Sequence, residues 1–163
     1  MTASGDVVPT TSIDDPRGSV IRRGRRETSS SATTSEVGVL RVDGIPLQNG
    51  RIYTLVTNNL FFASTVALDV IVGRLRFNAA GTATTASTII GEGGNHQPSA
   101  IAYGSVLWLP FIPATTANYS ILLSVARIGG SGSVSIGVTA NHPTIDLLIF
   151  DGWVDPGDVG VDV

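Results

Sequence analysis

The chain has 163 residues, with 10 basic and 13 acidic side chains and a formal net charge of −3 at neutral pH. The net negative charge argues against general nucleic-acid binding, and the absence of cysteine excludes disulfides and thiolate metal sites. Charged residues make up 14% of the chain. Average soluble proteins carry about 25% charged residues, so we expect much of the surface to be uncharged and covered by neighbouring molecules.

In chain order, the first 35 residues form a polar arm without a core-forming pattern. Residues 1–16 hold three acids and two prolines, which is typical of extended coil. Residues 28–35 are a Ser/Thr tract of the kind found in flexible linkers. Fixing such an arm costs on the order of 50 kcal/mol gross. Offsetting that cost needs roughly 2,000 Å² of apolar burial, so we expect partner subunits to hold the arm.

Between the coil and the linker lies an arginine cluster. Its members are Arg17, Arg22, Arg23, Arg25 and Arg26. Aromatic residues that would stack on bases are missing from the arm, and nearby acids weaken the positive potential. We therefore predict that these arginines bind other protein subunits through forked contacts with carboxylates. Arg74 and Arg76, on one face of a predicted strand, are assigned to the same partner-binding set.

From Glu36 onward, apolar and polar residues alternate in short runs separated by turn signals. The runs predict about eight strands at residues 36–42, 51–57, 69–78, 87–90, 103–112, 118–128, 133–139 and 144–150. Residues 91–98 are predicted to be a glycine-rich turn, and Pro110 predicts an edge position or a bulge for its strand. With no helical period, the pattern predicts an all-β antiparallel β-sandwich or jelly roll. The predicted division is an arm at 1–35, a sandwich at 36–150 and an acidic tail at 151–163.

The sequence shows no catalytic constellation. His96 and His142 have no second ligand at metal-binding spacing and are predicted to be turn residues. A pairing of His142 with Asp146 and a serine is the weakest alternative, since no G-x-S-x-G motif is present. The aspartates of the tail do not match a calcium loop. We predict no enzyme activity, no catalytic residue, no cofactor and no metal.

Three aromatic residues leave a second binding function open. Tyr103, Trp108 and Trp153 are candidates for a sugar-stacking platform on a sandwich. Large aromatic side chains more often bury against apolar surface. We therefore expect Trp108 in the core or at an interface, and Trp153 fastening the tail to the body.

Two segments resemble small virion proteins of tailed phages that infect actinobacteria. The first runs from the arginine pair at 25–26 through the Ser/Thr tract into EVGVLRVDGIPL at 36–47, and the second is DGWVDPGDVGVDV at 151–163. The complete absence of lysine suits a GC-rich genome of that kind. The resemblance implies a structural role in head decoration, a minor tail component or a fibre, and it implies no catalytic residues.

These observations predict a non-enzymatic virion protein that decorates or cements a capsid and is anchored by its N-terminal arm. A minor tail or fibre protein that contacts the host surface is the first alternative, and a carbohydrate-binding β-sandwich module is the second. The expected partners are capsid or tail subunits and further copies of this chain in a homotrimer, with neither nucleic acid nor a membrane. Residues 1–20 contain no signal sequence, so we expect assembly into the virion within the host cytoplasm.

Overall fold

A computed structural model describes the backbone of residues 18–96 and 103–154, and the side chains of residues 18–94 and 104–152. This part of the chain forms nine strands and no helix, and therefore no membrane-spanning helix. The strands are β1 Val20–Arg26, β2 Val37–Leu47, β3 Arg51–Ser64, β4 Val70–Asn78, β5 Thr88–His96, β6 Tyr103–Phe111, β7 Ala117–Gly129, β8 Val134–Gly137 and β9 Ile145–Val154.

The strands pair antiparallel into two sheets. Sheet A has the order β1-β9-β3-β6, and β8 pairs with one end of β3. Sheet B has the order β2-β7-β4-β5. Apart from the short β8, four strands face four in the interleaved order of a jelly roll. The predicted all-β antiparallel sandwich is confirmed.

The core lies between the two sheets and is built by alternate residues of the central strands. In β9, Ile145, Leu147 and Ile149 are fully buried, because the period of two turns every second side chain inward. β3 contains a bulge at Asn59, which has a φ of 54° and lies within the register shift between Thr57 and Leu60. The inward-facing residues of β3 continue on the core side beyond this bulge. The outward residues of sheet A are set by the same alternation.

Residues 91–96 of the segment predicted to be a glycine-rich turn are part of strand β5, and residues 97 and 98 lie outside the described residues. Gly91 and Gly93 point toward β6 of the other sheet, where Leu109 and Leu107 fill the space. A Cβ on Gly91 would lie 2.8 Å from Cδ1 of Leu109. The glycines therefore let the two sheets approach at this edge, and the segment stays extended by pairing with β4.

The structure differs from the predicted division at both ends of the body. Val20–Arg26 is not part of a separate arm but the edge strand β1, which pairs along β9 of the same chain. The Ser/Thr tract at residues 28–35 is also hydrogen-bonded to the sandwich, since N of Ser30 donates to O of Ile136 at 2.8 Å. β9 continues to Val154, so residues 151–154 belong to sheet A and not to a tail. Residues 1–17 and 155–163 lie outside the described residues.

The physical reason for this difference is the chemistry of an edge strand. β1 is ordered by backbone hydrogen bonds to β9 and by the Asp146 carboxylate of the same chain, so it does not need an apolar pattern of its own. The estimate that only partner subunits hold the arm therefore fails for residues 18–35. For residues 1–17 the arm remains a prediction.

Candidate interaction surface

The outer face of sheet A presents a row of apolar side chains. In register, Trp108 of β6 lies opposite Val56 of β3, and Val56 lies opposite Leu148 of β9. The outward side chains of these two adjacent rows are Thr54, Val56, Trp108, Pro110, Leu148 and Phe150. No charged residue interrupts this patch, which we call the apolar face.

Trp108 is the most exposed part of the apolar face. Its residue surface is 72% accessible, and Val106, two positions earlier on the same side of β6, is 57% accessible. Of the two positions expected for Trp108, the core is excluded and an interface remains a prediction, because Leu107 and Leu109 take the inward positions and the residue between them points outward. A contiguous apolar patch with an exposed tryptophan is a candidate interaction site in a soluble protein.

A shallow depression of about 260 Å³ lies beside the Trp108 ring. Its lining residues are Gly18, Thr54, Val56, Trp108, Phe150 and Asp151. The Asp151 carboxylate is buried and accepts a 2.6 Å hydrogen bond from Nη2 of Arg51, so its charge is balanced within the chain. The depression suits a flat, largely apolar group.

The opposite side of the same face is cationic. Arg23 of β1 donates from Nε and Nη2 to Oδ1 of Asp146, at 3.0 and 2.8 Å, and Nε of Arg25 donates to the same oxygen at 3.0 Å. The Asp146 side chain is only 5% exposed, whereas the arginine side chains are 46% and 45% exposed. Two half-exposed guanidinium groups share one buried carboxylate, which leaves net positive charge on this edge. We call this the arginine edge.

Arg74 and Arg76 lie on sheet B and converge on one acid. Nε of Arg76 donates to Oε1 of Glu36 at 2.6 Å, Nη1 of Arg74 donates to Oε2 at 2.8 Å, and Oγ of Ser124 donates to Oε1 at 2.6 Å. Burial opposes ionisation of Glu36 and is the largest single influence on its pKa. The hydrogen bonds from Arg76, Ser124 and Arg74 outweigh it together and lower the pKa to about 2.

The assignment of Arg74 and Arg76 to the partner-binding set is therefore corrected. Arg76 is 8% exposed and is held inside the chain by Glu36 and by O of Ser87. Arg74 also donates from Nε to Glu92 at 2.7 Å, and this bond is the largest of the effects that raise its pKa. Both arginines serve the internal ion cluster of sheet B.

The remaining predicted arginines divide between internal and surface positions. Arg26 donates to O of Val39 at 2.7 Å and to O of Ser29 at 2.9 Å, which fastens the linker to β2. Arg22 is exposed and bonds only its neighbour's carbonyl among the contacts of the described residues. Arg17 lies outside the described residues. Of the predicted set, Arg22, Arg23 and Arg25 remain on the surface.

His142, which the enzyme alternative pairs with Asp146 and a serine, makes other contacts in the structure. The ring of His142 stacks on Phe61 with centroids 4.8 Å apart, while Asp146 is held by Arg23 and Arg25. Among the described residues there is no group of three or more histidine, aspartate or glutamate side chains placed to hold a metal ion. The side chains of His96, Tyr103 and Trp153 lie outside the described set.

Sequence reasoning missed the apolar face although a signal was present. The run Val106, Leu107, Trp108, Leu109 is apolar on both faces of its strand. A strand that is apolar on one side faces a core, and one that is apolar on both sides needs a second cover. That second cover is what the outer face of sheet A lacks among the described residues.

No family model and no curated protein matches the sequence. Solved structures give weak similarity. Eiger TNF from S. frugiperda is 12% identical over 89% of this chain and 100% of that chain, with a TM-score of 0.39. The carbohydrate binding module CBM6cm-2 from Cellvibrio mixtus lichenase 5A is 13% identical over 81% and 98% of the two chains, with a TM-score of 0.32.

A virus protein gives a match of the same weak kind. The VP2 protein of Infectious Bursal Disease Virus is 13% identical over 83% of this chain and 38% of that chain, with a TM-score of 0.33. At this level of similarity no function is transferred from any of the three. The fold class is carried by the strand pairing itself.

Proposed function

We propose that this chain is a non-enzymatic structural protein of a virion, which decorates or cements a capsid by placing the apolar face of sheet A against neighbouring subunits. The observation that carries this proposal is the exposure of Trp108, which is 72% accessible within the apolar face of sheet A. Covering a tryptophan ring of that exposure contributes roughly 3 kcal/mol gross. Such a side chain is expected at the centre of a protein interface.

Composition and fold support the same proposal. Charged residues are only 14% of the chain, which fits a protein whose surface is shared with neighbours. Jelly rolls form both virus shells and lectin domains, so the fold admits the role without assigning it. The resemblance of residues 25–47 and 151–163 to small phage virion proteins supports a structural role in a virion, and we propose that copies of this chain form a homotrimer there.

The attachment role is tested by reversing the polarity of Trp108. Trp108→Glu replaces an exposed side chain and is expected to leave the fold intact, while the variant is lost from purified particles that retain the wild-type protein. Ile128→Glu is the matched control, because Ile128 is a 53% exposed apolar residue on β7 of the other sheet. Retention of folded Trp108→Glu at the wild-type level would overturn the proposal.

Location within the particle is a separate question. Decoration of a shell implies many copies per particle, whereas a minor tail or fibre component implies few. Densitometry of purified particles against the major shell protein measures the ratio. A ratio of a few copies per particle would replace the decoration assignment with the tail or fibre alternative.

The depression beside Trp108 favours a second candidate, a carbohydrate-binding module. An exposed aromatic ring next to the Thr54 hydroxyl offers a stacking platform and a polar group for a pyranose ring. This candidate predicts that soluble oligosaccharides quench Trp108 fluorescence in a Trp153→Phe background. It also predicts that Trp108→Ala abolishes retention on polysaccharide. Fluorescence unchanged across a panel of glucans, chitooligosaccharides and galactans would remove it.

A further inference from the structure

We propose that the apolar face and the arginine edge together form a docking surface for a second copy of this chain. In the dimer, the two copies of sheet A pack face to face across a two-fold axis that runs parallel to the strands. The inference goes beyond the proposed attachment to a virion, because it concerns the free protein. It is carried by the register of sheet A, by the position of its charges and by the exposure of Trp108.

One cross-strand row places an exposed aromatic ring and a cation at opposite ends of sheet A. Trp108 of β6 lies opposite Val56 of β3, which lies opposite Leu148 of β9. Leu148 in turn lies opposite Arg23 of β1. Three strand spacings of about 4.8 Å separate the ends of this row, so the backbones at Trp108 and Arg23 lie about 14 Å apart. The row therefore runs from an aromatic end, through two aliphatic side chains, to a cationic end.

A two-fold axis parallel to the strands, placed between β3 and β9, makes this row complementary to itself. The rotation exchanges the two ends of the row, so Trp108 of each copy faces Arg23 of the other. In the middle of the row, Val56 of each copy faces Leu148 of the other. A guanidinium group over an indole ring is a favourable cation–π contact. The Arg23 side chain is 46% exposed while it binds Asp146, so it is accessible to such a ring.

The neighbouring row is complementary under the same rotation. Pro110 of β6 lies opposite Thr54 of β3, and Phe150 of β9 lies between Thr54 and Val20 of β1. The two-fold axis places Phe150 of the second copy over Thr54, at the shallow depression beside the Trp108 ring. The depression suits a flat apolar group, and the aromatic ring of Phe150 has that shape.

Charge decides between the two ways of placing a two-fold axis between the sheets. An axis parallel to the cross-strand rows would bring the arginine edges of the two copies together. Each edge carries the guanidinium groups of Arg23 and Arg25 over the single carboxylate of Asp146, so two surfaces of like charge would face each other. The axis parallel to the strands keeps the arginine edges on opposite sides of the interface, where each meets the apolar strand β6 of the other copy.

The size of the surface predicts a weak and reversible dimer. Sheet A contributes outward side chains from four strands, at about three positions on each, which is roughly half of the 20–30 residues that a standard interface buries on each side. We therefore expect a dissociation constant of about 1–100 µM. A dimer of this affinity hides the apolar face in the free protein and gives way when neighbouring subunits bind the same face more tightly.

Sedimentation of the full-length chain between about 1 µM and 1 mM tests the dimer. Trp108→Ala is expected to raise the dissociation constant at least about tenfold, because both exposed rings are lost from the interface. Ile128→Ala is the matched control, since Ile128 is a 53% exposed apolar residue of the other sheet. Arg23→Gln, which keeps an N–H donor, is expected to raise the constant about threefold to tenfold. Arg41→Gln is its control, since Arg41 is 45% exposed and bound to Asp43 on sheet B.

Cross-linking tests the orientation of the axis, and the absence of native cysteine makes introduced thiols unique. Val20 and Pro110 lie at opposite ends of one row. A short bismaleimide is expected to join Val20→Cys of one copy to Pro110→Cys of the other when the two variants are mixed. Each variant alone is expected to stay largely unlinked, because the two-fold axis keeps identical ends of the row about 14 Å apart.

Three results would overturn this proposal. One is a chain that stays monomeric at every concentration. Another is a dimer that Trp108→Ala or Arg23→Gln leaves unchanged. The third is cross-linking of Pro110→Cys to itself in preference to the mixed pair. These assays contain no particle protein, so their failure leaves the attachment proposal standing, and the loss of Trp108→Glu from particles is measured separately.

Discussion

Glu36 and Arg76 lie 40 residues apart in the chain, yet Nε of Arg76 donates a 2.6 Å hydrogen bond to Oε1 of Glu36. Nη2 of the same guanidinium donates to Oε2 at 2.8 Å, so the contact is a forked pair. Glu36 stands just before β2 and Arg76 lies on β4, which is separated from β2 by β7. The pair therefore ties the end of the linker across the outer face of sheet B.

Replacing this carboxylate is expected to weaken the fold. Glu36→Gln leaves Arg76 largely buried without a counter-charge, and we expect the free energy of unfolding to fall by about 2–3 kcal/mol. Denaturant unfolding at neutral pH measures the loss. Glu92→Gln is the matched control, since Glu92 also binds Arg74 but is 45% exposed, and its loss should stay below about 1 kcal/mol. Equal losses for the two variants would contradict the structural role of Glu36.

The same residue predicts how stability depends on acid. In the folded chain the pKa of Glu36 is lowered to about 2. In an unfolded chain a glutamate titrates near pH 4.3. A depressed folded pKa means that the contribution of Glu36 is complete above the unfolded pKa and is lost as the pH falls from about 5 toward 2. Hydrogen bonds from Ser120 to Asp43, and from Ser64 to Asp69, lower those pKa values as well and act in the same direction.

Unfolding free energies measured stepwise between neutral pH and about pH 3 test this prediction. The wild-type chain should lose stability steadily over that range. Glu36→Gln should show a shallower fall, because the replaced group no longer titrates. Parallel curves for the two proteins would show that Glu36 does not contribute to the acid dependence.

Truncation from the N-terminus should separate the arm from strand β1. A chain that begins at Gly18 keeps β1 and its hydrogen bonds, and we expect it to fold with unchanged stability. A chain that begins at Glu27 lacks Arg23 and Arg25. The Asp146 carboxylate then loses both of its cationic partners, and the edge of β9 is left without a paired strand. We expect a loss of about 3 kcal/mol or more together with aggregation through that edge. Thermal unfolding measures the stability of the two truncated chains, and size-exclusion chromatography measures their aggregation. Equal stability and equal elution of the two chains would mean that β1 is dispensable.

Close approach of β9 and β3 makes one glycine indispensable. A Cβ on Gly152 would collide with the carbonyl oxygen of Ile52, a backbone atom that cannot rotate away. We expect Gly152→Ala to cost about 3 kcal/mol or more in unfolding free energy. Gly81→Ala is the control, because its nearest neighbour would be Nδ2 of Asn78 at 3.7 Å, an ordinary contact. If both variants unfold at the same denaturant concentration as the wild type, the proposed approach of the strands is wrong.

The sequence predicted those strands whose own residues alternate between apolar and polar. Val134 and Ile136 alternate with small polar residues, and the strand is found there as β8 because one face is buried. β1 was missed since four of its seven residues are arginines, and its order comes from pairing with β9, which is distant in the sequence. Gly91 and Gly93 predicted a turn because glycine is common in turns. The structure requires glycine at these positions because Leu109 and Leu107 of the opposite sheet occupy the space that a side chain would fill.

The interaction surface was predicted in part for the same reason. The surface arginines Arg23 and Arg25 were singled out by their charge, which any reading of the sequence shows. Their shared carboxylate, Asp146, and the apolar neighbours Val56 and Phe150 are brought to one face only by strand order. Non-local pairing, more than residue chemistry, limited the prediction.

The pairing of β1 with β9 sets the order of events during synthesis. Arg23 leaves the ribosome 123 residues before Asp146. During that interval the opening strand has donors and acceptors but no native neighbour of its own. On a polysome, β1 of one nascent chain can pair instead with the completed β9 of an adjacent copy, through the same backbone hydrogen bonds. Strand exchange between newly made molecules is thus the characteristic hazard of this topology, and dilution during refolding should suppress it.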